Sequence, residues 1–445
     1  MGKQLLVYVI GMSMMISYAM LNMNKTSLDS QDSYALSYGR TMARNIAHAG
    51  ANIGTQLCLA DTGYSTNLLD QKFNGGTYNV YVTKNGDTTR VTSVARVGMR
   101  YYDVANRSWQ TQILDTVEAT LRRISFSKYG YFSNSETNGY MSPTSNTTSG
   151  SSMWKITGDS MYGPVHTNVR WNFSGRPYFH NKVTAASAPN LSSFFAPPSP
   201  IYNGGYQWGI TVPRPPSRIT DIENAATAGG KLWTNTATGN QDLGLEFQSD
   251  GRVRVKIPWN TGATKDTTYG SIASLAPNGV IGVKGIDLRI WGTYNGKATV
   301  FARTGTSTGA LKGNVWIQGN LVAADNPQTN INSDDLMGLV AERMAYVTTT
   351  GISRTSSSQT TIQAAIYTQN GVFAVENYTS CGVAGRLNLF GGVTMNASTS
   401  TNTSSGGVIT NGMLKSFRHD PRFLTQAPPF YPTADRREVI AWWEN

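Results

Sequence analysis

The chain has 445 residues and a formal net charge of +11, yet Asp, Glu, Lys and Arg make up only 14% of it, well under the usual ~25%. With 45 glycines and conspicuous Ser, Thr and Asn, this is the composition of a turn-rich exported β protein. It excludes a charge-rich helical enzyme of the cytosol, and 10 Trp, 22 Tyr and 14 Phe supply a core and exclude disorder. The basic residues are scattered, with Arg122-Arg123, Arg252/Arg254/Lys256 and Arg436-Arg437 the closest clusters. They form no recognition face, so no specific nucleic-acid binding is expected. Non-specific charge would still attract an acidic glycan or extracellular DNA.

There is no charge between Lys3 and Lys25, and Leu5–Met23 is almost wholly apolar, reaching the ~20 residues a helix needs to cross a bilayer. Helix-compatible sequence without proline continues to Asp61. The pattern predicts one helix over 1–60, apolar over 5–23 and amphipathic over 24–60. No small-x-small cleavage site follows the apolar run, so the segment is expected to stay, with Lys3 holding the N-terminus on the cytoplasmic side. Gly11, Ser13, Ser17 and Ala19 let helices approach closely in an apolar medium. Leu28, Ala35, Met42 and Ala49 recur at heptad spacing, and Ile46, Ile53 and Leu57 extend the stripe. The C-terminal half is expected to pack on the chain's own β domain, and the N-terminal half to face lipid or other copies. The expected helix–helix assembly residues are Leu5, Val9, Gly11, Met12, Ser13, Ile16, Ser17, Met20, Leu28, Ala35 and Met42.

This apolar-then-amphipathic helix ahead of a β body resembles the type IV pilin-like proteins, over roughly residues 1–100. In that family the helix anchors the subunit and then packs into a filament core. The processing motif departs from the family's pattern. If Gly2 closed a leader, Lys3 would open the mature chain, where the family has Phe or Met, and Val7 would stand fifth, where it has Glu.

Beyond the helix, Asp61-Thr62-Gly63 and Asn74-Gly75-Gly76 signal turns. Tyr78, Val80 and Val82 alternate with Asn79, Tyr81 and Thr83. Asn85-Gly86-Asp87 predicts a hairpin turn, and Arg90–Val97 the return strand. Met99–Tyr102 fits a further strand. Gln110–Arg122 fits a strand or a helix (Ile113, Leu114, Val117, Leu121), the strand being preferred. Residues 61–132 thus form a small β domain similar to the sheet that pilin-like proteins lay over their helix. Residues 133–152 and Asn396–Gly407 are Ser/Thr/Asn-rich tracts, expected to be exposed, flexible or glycosylated.

From Asn278 onward, short β-like runs alternate with glycines: Val280–Val283, Ile286–Ile290, Ala298–Ala302, Asn314–Ile317, Asn320–Ala323, Thr361–Tyr367, Gly371–Val375 and Arg386–Leu389. Short strands without helix-length connections predict a β-solenoid (parallel β-helix) over 153–445, with a β-sandwich as the alternative. The chain closes on a Pro-rich tail whose prolines should hold it extended and whose aromatics should cap a core. Cys58 and Cys381 are expected to be two buried thiols, with a disulfide as the alternative.

Gly163-Pro164-Val165-His166-Thr167-Asn168, together with Asp420-Pro421-Arg422, resembles the pattern of a largely uncharacterised family of bacterial surface proteins. The resemblance covers about 75–445. It implies a pilin-like helix joined to a β-solenoid and gives these residues a structural role. Gly158-Asp159-Ser160 ahead of His166 resembles the nucleophile block of an esterase superfamily. However, none of His48, His166, His180 and His419 has the Asp three residues before it that the catalytic base of that superfamily requires. Asp325, Asp334 and Asp335 read as solvated turn residues, and Glu342 and Glu376 as isolated, so no carboxylate pair for glycoside hydrolysis is evident. His166 and His180 lack metal-ligand spacing.

The fold class expected is therefore α+β, mainly β: a long N-terminal helix, a small antiparallel sheet, then a Gly-rich β-solenoid. The expected function is that of an exported structural subunit, held in the inner membrane before assembly and then in a surface filament of its own copies. A membrane-anchored periplasmic or surface adhesin binding acidic glycans is the alternative. Neither catalytic residues, nor a metal, nor a cofactor is expected.

Overall fold

The computed structural model describes residues 2–103, 108–142, 145, 147–194, 196–214, 217–260, 262–305, 311–405 and 408–444. A long N-terminal helix is followed by a mainly β body. The chain divides into two compact units, Met1–Arg123 with Arg436–Asn445, and Ile124–Asp435. Parts of both Ser/Thr/Asn-rich tracts (143–144, 146 and 406–407) lie outside the described residues.

In the first unit, helix α1 (Gly2–Ala60) ends where Asp61 turns the chain, its Oδ1 accepting the Gly63 N–H at 2.6 Å. Strands β1 (Leu68–Phe73), β2 (Gly76–Asn85), β3 (Thr88–Asp103) and β4 (Ser108–Ser125) form an antiparallel sheet. Thr433–Glu444 joins it beside β4. Asn85 pairs with Thr88 across the predicted turn, and Gly86 takes φ +58 at its first position, as a two-residue hairpin requires. Residues 110–122 are strand: Ile113, Val117, Ala119 and Leu121 are buried while Leu114 is exposed, an alternation of period two.

The face of α1 that meets this sheet coincides with the heptad stripe only at Met42 and Ile46. Ala43, Ile46, Ala47, Ala51 and Cys58 are buried against Tyr78, Val80, Val91, Ala95 and Val117, whereas Leu28 and Ala35 are exposed and Met42 is half-buried. Gly39, Gly50 and Gly54 continue the buried face. A Cβ on Gly54 would stand 2.6 Å from Val80 Cγ1 and 2.7 Å from Val91 Cγ1. Small residues three and four apart bring the helix axis close to the sheet, and large apolar residues would hold it off.

The second unit is built from ladders of parallel strands. One runs Lys231–Thr234, Val280–Lys284, Lys297–Arg303, Leu336–Ala341, Ala365–Thr368, then the end of Val383–Met395. It continues not into later sequence but into the unit's beginning: Tyr131–Ser133, Val165–Thr167, Val183–Ala185 and Tyr206–Gln207. A second ladder stacks Leu243–Phe247, Leu288–Tyr294, Val315–Ala323, Gln359–Ile362, Val383–Met395 and Val408–His419. Buried Val, Ile, Leu and Ala from these strands form one large core. The predicted glycine punctuation is in place: Gly279, Gly285, Gly296 and Gly313 all have positive φ.

The stack order requires the chain to travel from the Tyr206 end to the Lys231 end, roughly 40 Å at ~4.8 Å per strand. Helix α2 (Ser217–Gly229, 13 residues) covers about half of that at ~1.5 Å per residue. Residues 208–214 run along the stack ahead of it. The path can be followed contact by contact. Ile210 N–H bonds Ala185 O at 3.0 Å, Val212 bonds Asn168, and Arg214 reaches Thr368 O. Glu223 pairs with Arg303 and, at 2.7 Å, with Lys284. Ile219, Ile222 and Ala226 bury the helix's apolar face on Val280, Phe301 and Val340.

Several sequence expectations are corrected here. α2 and the antiparallel excursion of Val253–Ile257 and Lys265–Tyr269 beside Leu243–Phe247 lie outside the expected run of short solenoid strands. The tail is not simply extended. Pro421–Leu424 is a 3-10 turn capped by Asp420, and Trp442 and Trp443 lie on a strand of the first unit, Trp443 exposed. Both cysteines are free thiols, but only Cys58 is buried; Cys381 is half-exposed.

Candidate functional site: the exposed helix and the motif residues

The N-terminal half of α1 is the largest uncovered apolar surface of its unit. Leu5, Val7, Tyr8, Met12, Met15 and Met20 are each about 60–80% exposed, with Tyr8 at 79%. Among the described residues this is the one helix long and apolar enough to cross a membrane, and none of its most apolar window is buried. All the expected assembly residues lie on it. Leu5, Val9, Met12, Ser13, Ile16, Ser17, Met20, Leu28 and Ala35 are exposed, and Gly11 and Met42 are half-buried. Ser13 returns its hydroxyl to Ile10 O at 2.9 Å, which removes a polar cost from an apolar surrounding.

The two sequence motifs are stitched into the second unit. Gly163 takes φ +79 against the His419 ring. Val165–Thr167 is a fully buried strand. His166 Nε2 faces Asn168 Oδ1 at 2.9 Å, so it carries the proton, and Nδ1 meets Thr184 Oγ1 at 2.8 Å. Asn168 in turn accepts from Val212 N–H and donates to Val212 O, both at 2.8 Å, fastening the crossing segment to the stack. In the second motif, Arg422 Nη2 lies 2.7 Å from Asp420 Oδ2, and Arg422 Nη1 donates to Ser333 O and Asp335 O. His166, Asp420 and Arg422 are buried and paired, which makes them fasteners of the fold.

The residues weighed for catalysis are distributed differently from the sequence pattern. His166 does not reach Ser160. His180 does, with Nε2 3.1 Å from Ser160 Oγ. Asp159 points away from that pair, accepting from Ile156 N–H at 2.8 Å and lying 3.5 Å from Lys415. The His180 ring is packed against Tyr162 instead, their centroids 3.8 Å apart. Asp335, expected to be solvated, is buried, and its two oxygens accept from Gly296 and Asp325 N–H. Asp334 is exposed. Asp325 accepts from Asn330 Nδ2, Glu342 from Thr304 N–H, and Glu376 from Thr349 and Thr350 N–H.

A cavity of about 220 Å³ beside Ser160 is lined by Tyr131, Lys155, Tyr162, Lys415 and His419 among others. At its wall, buried Lys155 pairs with Glu136 at 3.0 Å and lies 4.8 Å above the Tyr131 ring. Burial pulls the Lys155 pKa down, but Glu136, Tyr131 and Asp159 outweigh it and hold the ammonium above its ordinary range. Burial, aided by Glu136, pushes the Tyr131 hydroxyl up to about 12. In the sequence this pair shows only as a Lys and a Glu among polar neighbours.

A family model described as a domain of unknown function (DUF4900) matches residues 91–188. That span contains Gly163–Asn168 but not Asp420–Arg422. Among solved structures, the chain is similar to the competence-associated pilin ComZ from Thermus thermophilus, at 13% identity and a TM-score of 0.34. The match covers 91% of this chain and 97% of that one. Those values are too low for fold or role to be carried over. No curated protein matches.

Proposed function

We propose that the protein is a structural, pilin-like subunit. Its apolar N-terminal helix sits in a membrane first and then packs against the helices of other copies, leaving the β body outside. One observation carries this. A single helix is apolar over Leu5–Met23 and, among the described residues, covered by nothing in its own unit, while its C-terminal half is seated on a sheet by glycine and alanine. Each large apolar side chain taken out of water contributes roughly 1.5–3 kcal/mol, so this surface favours lipid or a bundle of like helices over solvent. The parallel ladders support reading the body as a β-solenoid, and the motif residues support a structural rather than catalytic role for it.

Negative-stain microscopy of sheared cell-surface material tests the reading. Filaments labelled by an antibody to the body are expected. Protein recovered only as a monomer in the membrane fraction rejects it.

A further inference from the structure

We infer that the second unit carries a binding subsite for a neutral pyranose glycan, on a shelf formed by Trp259 and Trp291. The inference is independent of whether the subunits polymerise.

The shelf is built by the ladder itself. Trp291 stands on Leu288–Tyr294 opposite Glu246, and Gly244 stands opposite Arg289. A Cβ on Gly244 would meet Trp259 Cβ at 3.0 Å and Trp291 Cη2 at 3.3 Å, so the missing side chain is what lets both indoles close over that position. On the other side the register breaks. Ile290 pairs with Ile317 and Gly292 with Leu321, which leaves Gln318, Gly319 and Asn320 bulged opposite Trp291. Bulges of this kind re-aim side chains. The result is an open recess of about 470 Å³ lined by Trp259, Trp291, Gln318, Asn320 and Ile352.

Two further properties select the ligand. The first is an unspent donor at the surface of the recess. Asn320 uses its Oδ1 to accept from Thr361 N–H at 2.9 Å, and its exposed amide N–H₂ is left to meet a ligand's acceptors. The second is charge balance. Arg254 grips Asp266 with contacts of 2.7 and 2.5 Å, Lys256 lies 3.2 Å from Glu246, and Arg289, 4.3 Å over the Trp259 ring, lies 3.8 Å from Asp242. Each of these three cations already has a carboxylate within 4 Å. An acidic glycan would have to break those pairs, whereas an uncharged pyranose needs only an apolar face for its C–H groups and an amide for its hydroxyls.

The test uses the full chain in a detergent without a sugar headgroup. It is titrated by tryptophan fluorescence with cellohexaose, maltohexaose, mannohexaose and chitohexaose, and with hexagalacturonate as the acidic arm. At least one neutral hexasaccharide is expected to shift the emission saturably. Trp291→Ala and Asn320→Ala should each weaken it about tenfold or more without moving the melting temperature. Asn320 is exposed, so its variant remains informative if Trp291→Ala fails to fold. Silence with all four neutral probes, tighter binding of hexagalacturonate, or unchanged binding in Asn320→Ala would each overturn the inference.

Discussion

Gly50 and Gly54 sit where a helix would ordinarily prefer alanine, which favours helix by roughly 1 kcal/mol over glycine. Their place against Tyr78, Ser93, Val80 and Val91 reverses that preference, because any larger side chain must push the helix off the sheet. Gly54→Leu is expected to destabilise the first unit by about 1–3 kcal/mol, read as a lower melting temperature by circular dichroism. An unchanged melt would show that the helix can lift without cost. At the buried Lys155–Glu136 pair, Lys155→Met leaves a carboxylate interred without its cation and should cost about 3–5 kcal/mol. The double change with Glu136→Gln should recover most of it, as urea unfolding can show. Tyr131 gives the pH dependence. Its hydroxyl ionises near 12 in the folded chain and near ~10 in the unfolded one. Its contribution is therefore complete below pH ~10 and is lost as pH rises from there through 12. A phenolate absorbance titration should show this tyrosine ionising late, and Tyr131→Phe should flatten the alkaline fall in stability.

At the scale of elements, α1 has two physically distinct halves. Removing residues 2–30, which precede Leu36, the first helix residue packed on the sheet's core, should leave the melting temperature of the first unit unchanged while abolishing membrane association. A lower melt would mean that the exposed half stabilises its own fold. Conversely, Ile16→Asp places a charge mid-span at a cost of roughly 2.5–3.5 kcal/mol, and should reduce both membrane-fraction recovery and filament yield with no change in the body. Much of this element structure is legible in the residues. The uncharged run, the Asn85–Asp87 hairpin and the positive-φ glycines each act locally, so local sequence reports them. What escaped depends on partners distant in sequence. The packing face of α1 is written in Gly39, Ala43, Ala47, Gly50 and Gly54, which look featureless until a sheet is laid on them, whereas the heptad of larger residues stands out without one. α2 did carry a signal, with Ile219, Ile222 and Ala226 on one face and Gly229-Gly230 as a stop. The Trp259–Trp291 shelf had none, since it exists only once Gly244 brings the two indoles together.

For the whole molecule, the notable point is where the second unit opens and closes. Phe126 N–H bonds Pro432 O at 3.0 Å, so its entry and exit strands lie side by side, and an excised 124–435 fragment needs only to lose two flanking peptides. It is expected to fold by itself and to melt cooperatively. Loss of structure in the fragment, seen by circular dichroism and limited proteolysis, would mean that the first unit is required.

Strand order also bears on how such a chain can be made. Tyr131–Ser133 is sandwiched between Val165–Thr167, which is synthesised soon after it, and Val393–Met395, which is not. As the polypeptide emerges from the ribosome or from an export channel, its early strands therefore wait, with one edge bare, until some 260 further residues have followed. Non-local pairing of this kind slows folding and exposes sticky edges meanwhile. The body cannot ripen strand by strand during delivery. On the proposed route the body crosses the membrane open and closes afterwards in one late step, which places its vulnerability to aggregation and proteolysis ahead of assembly.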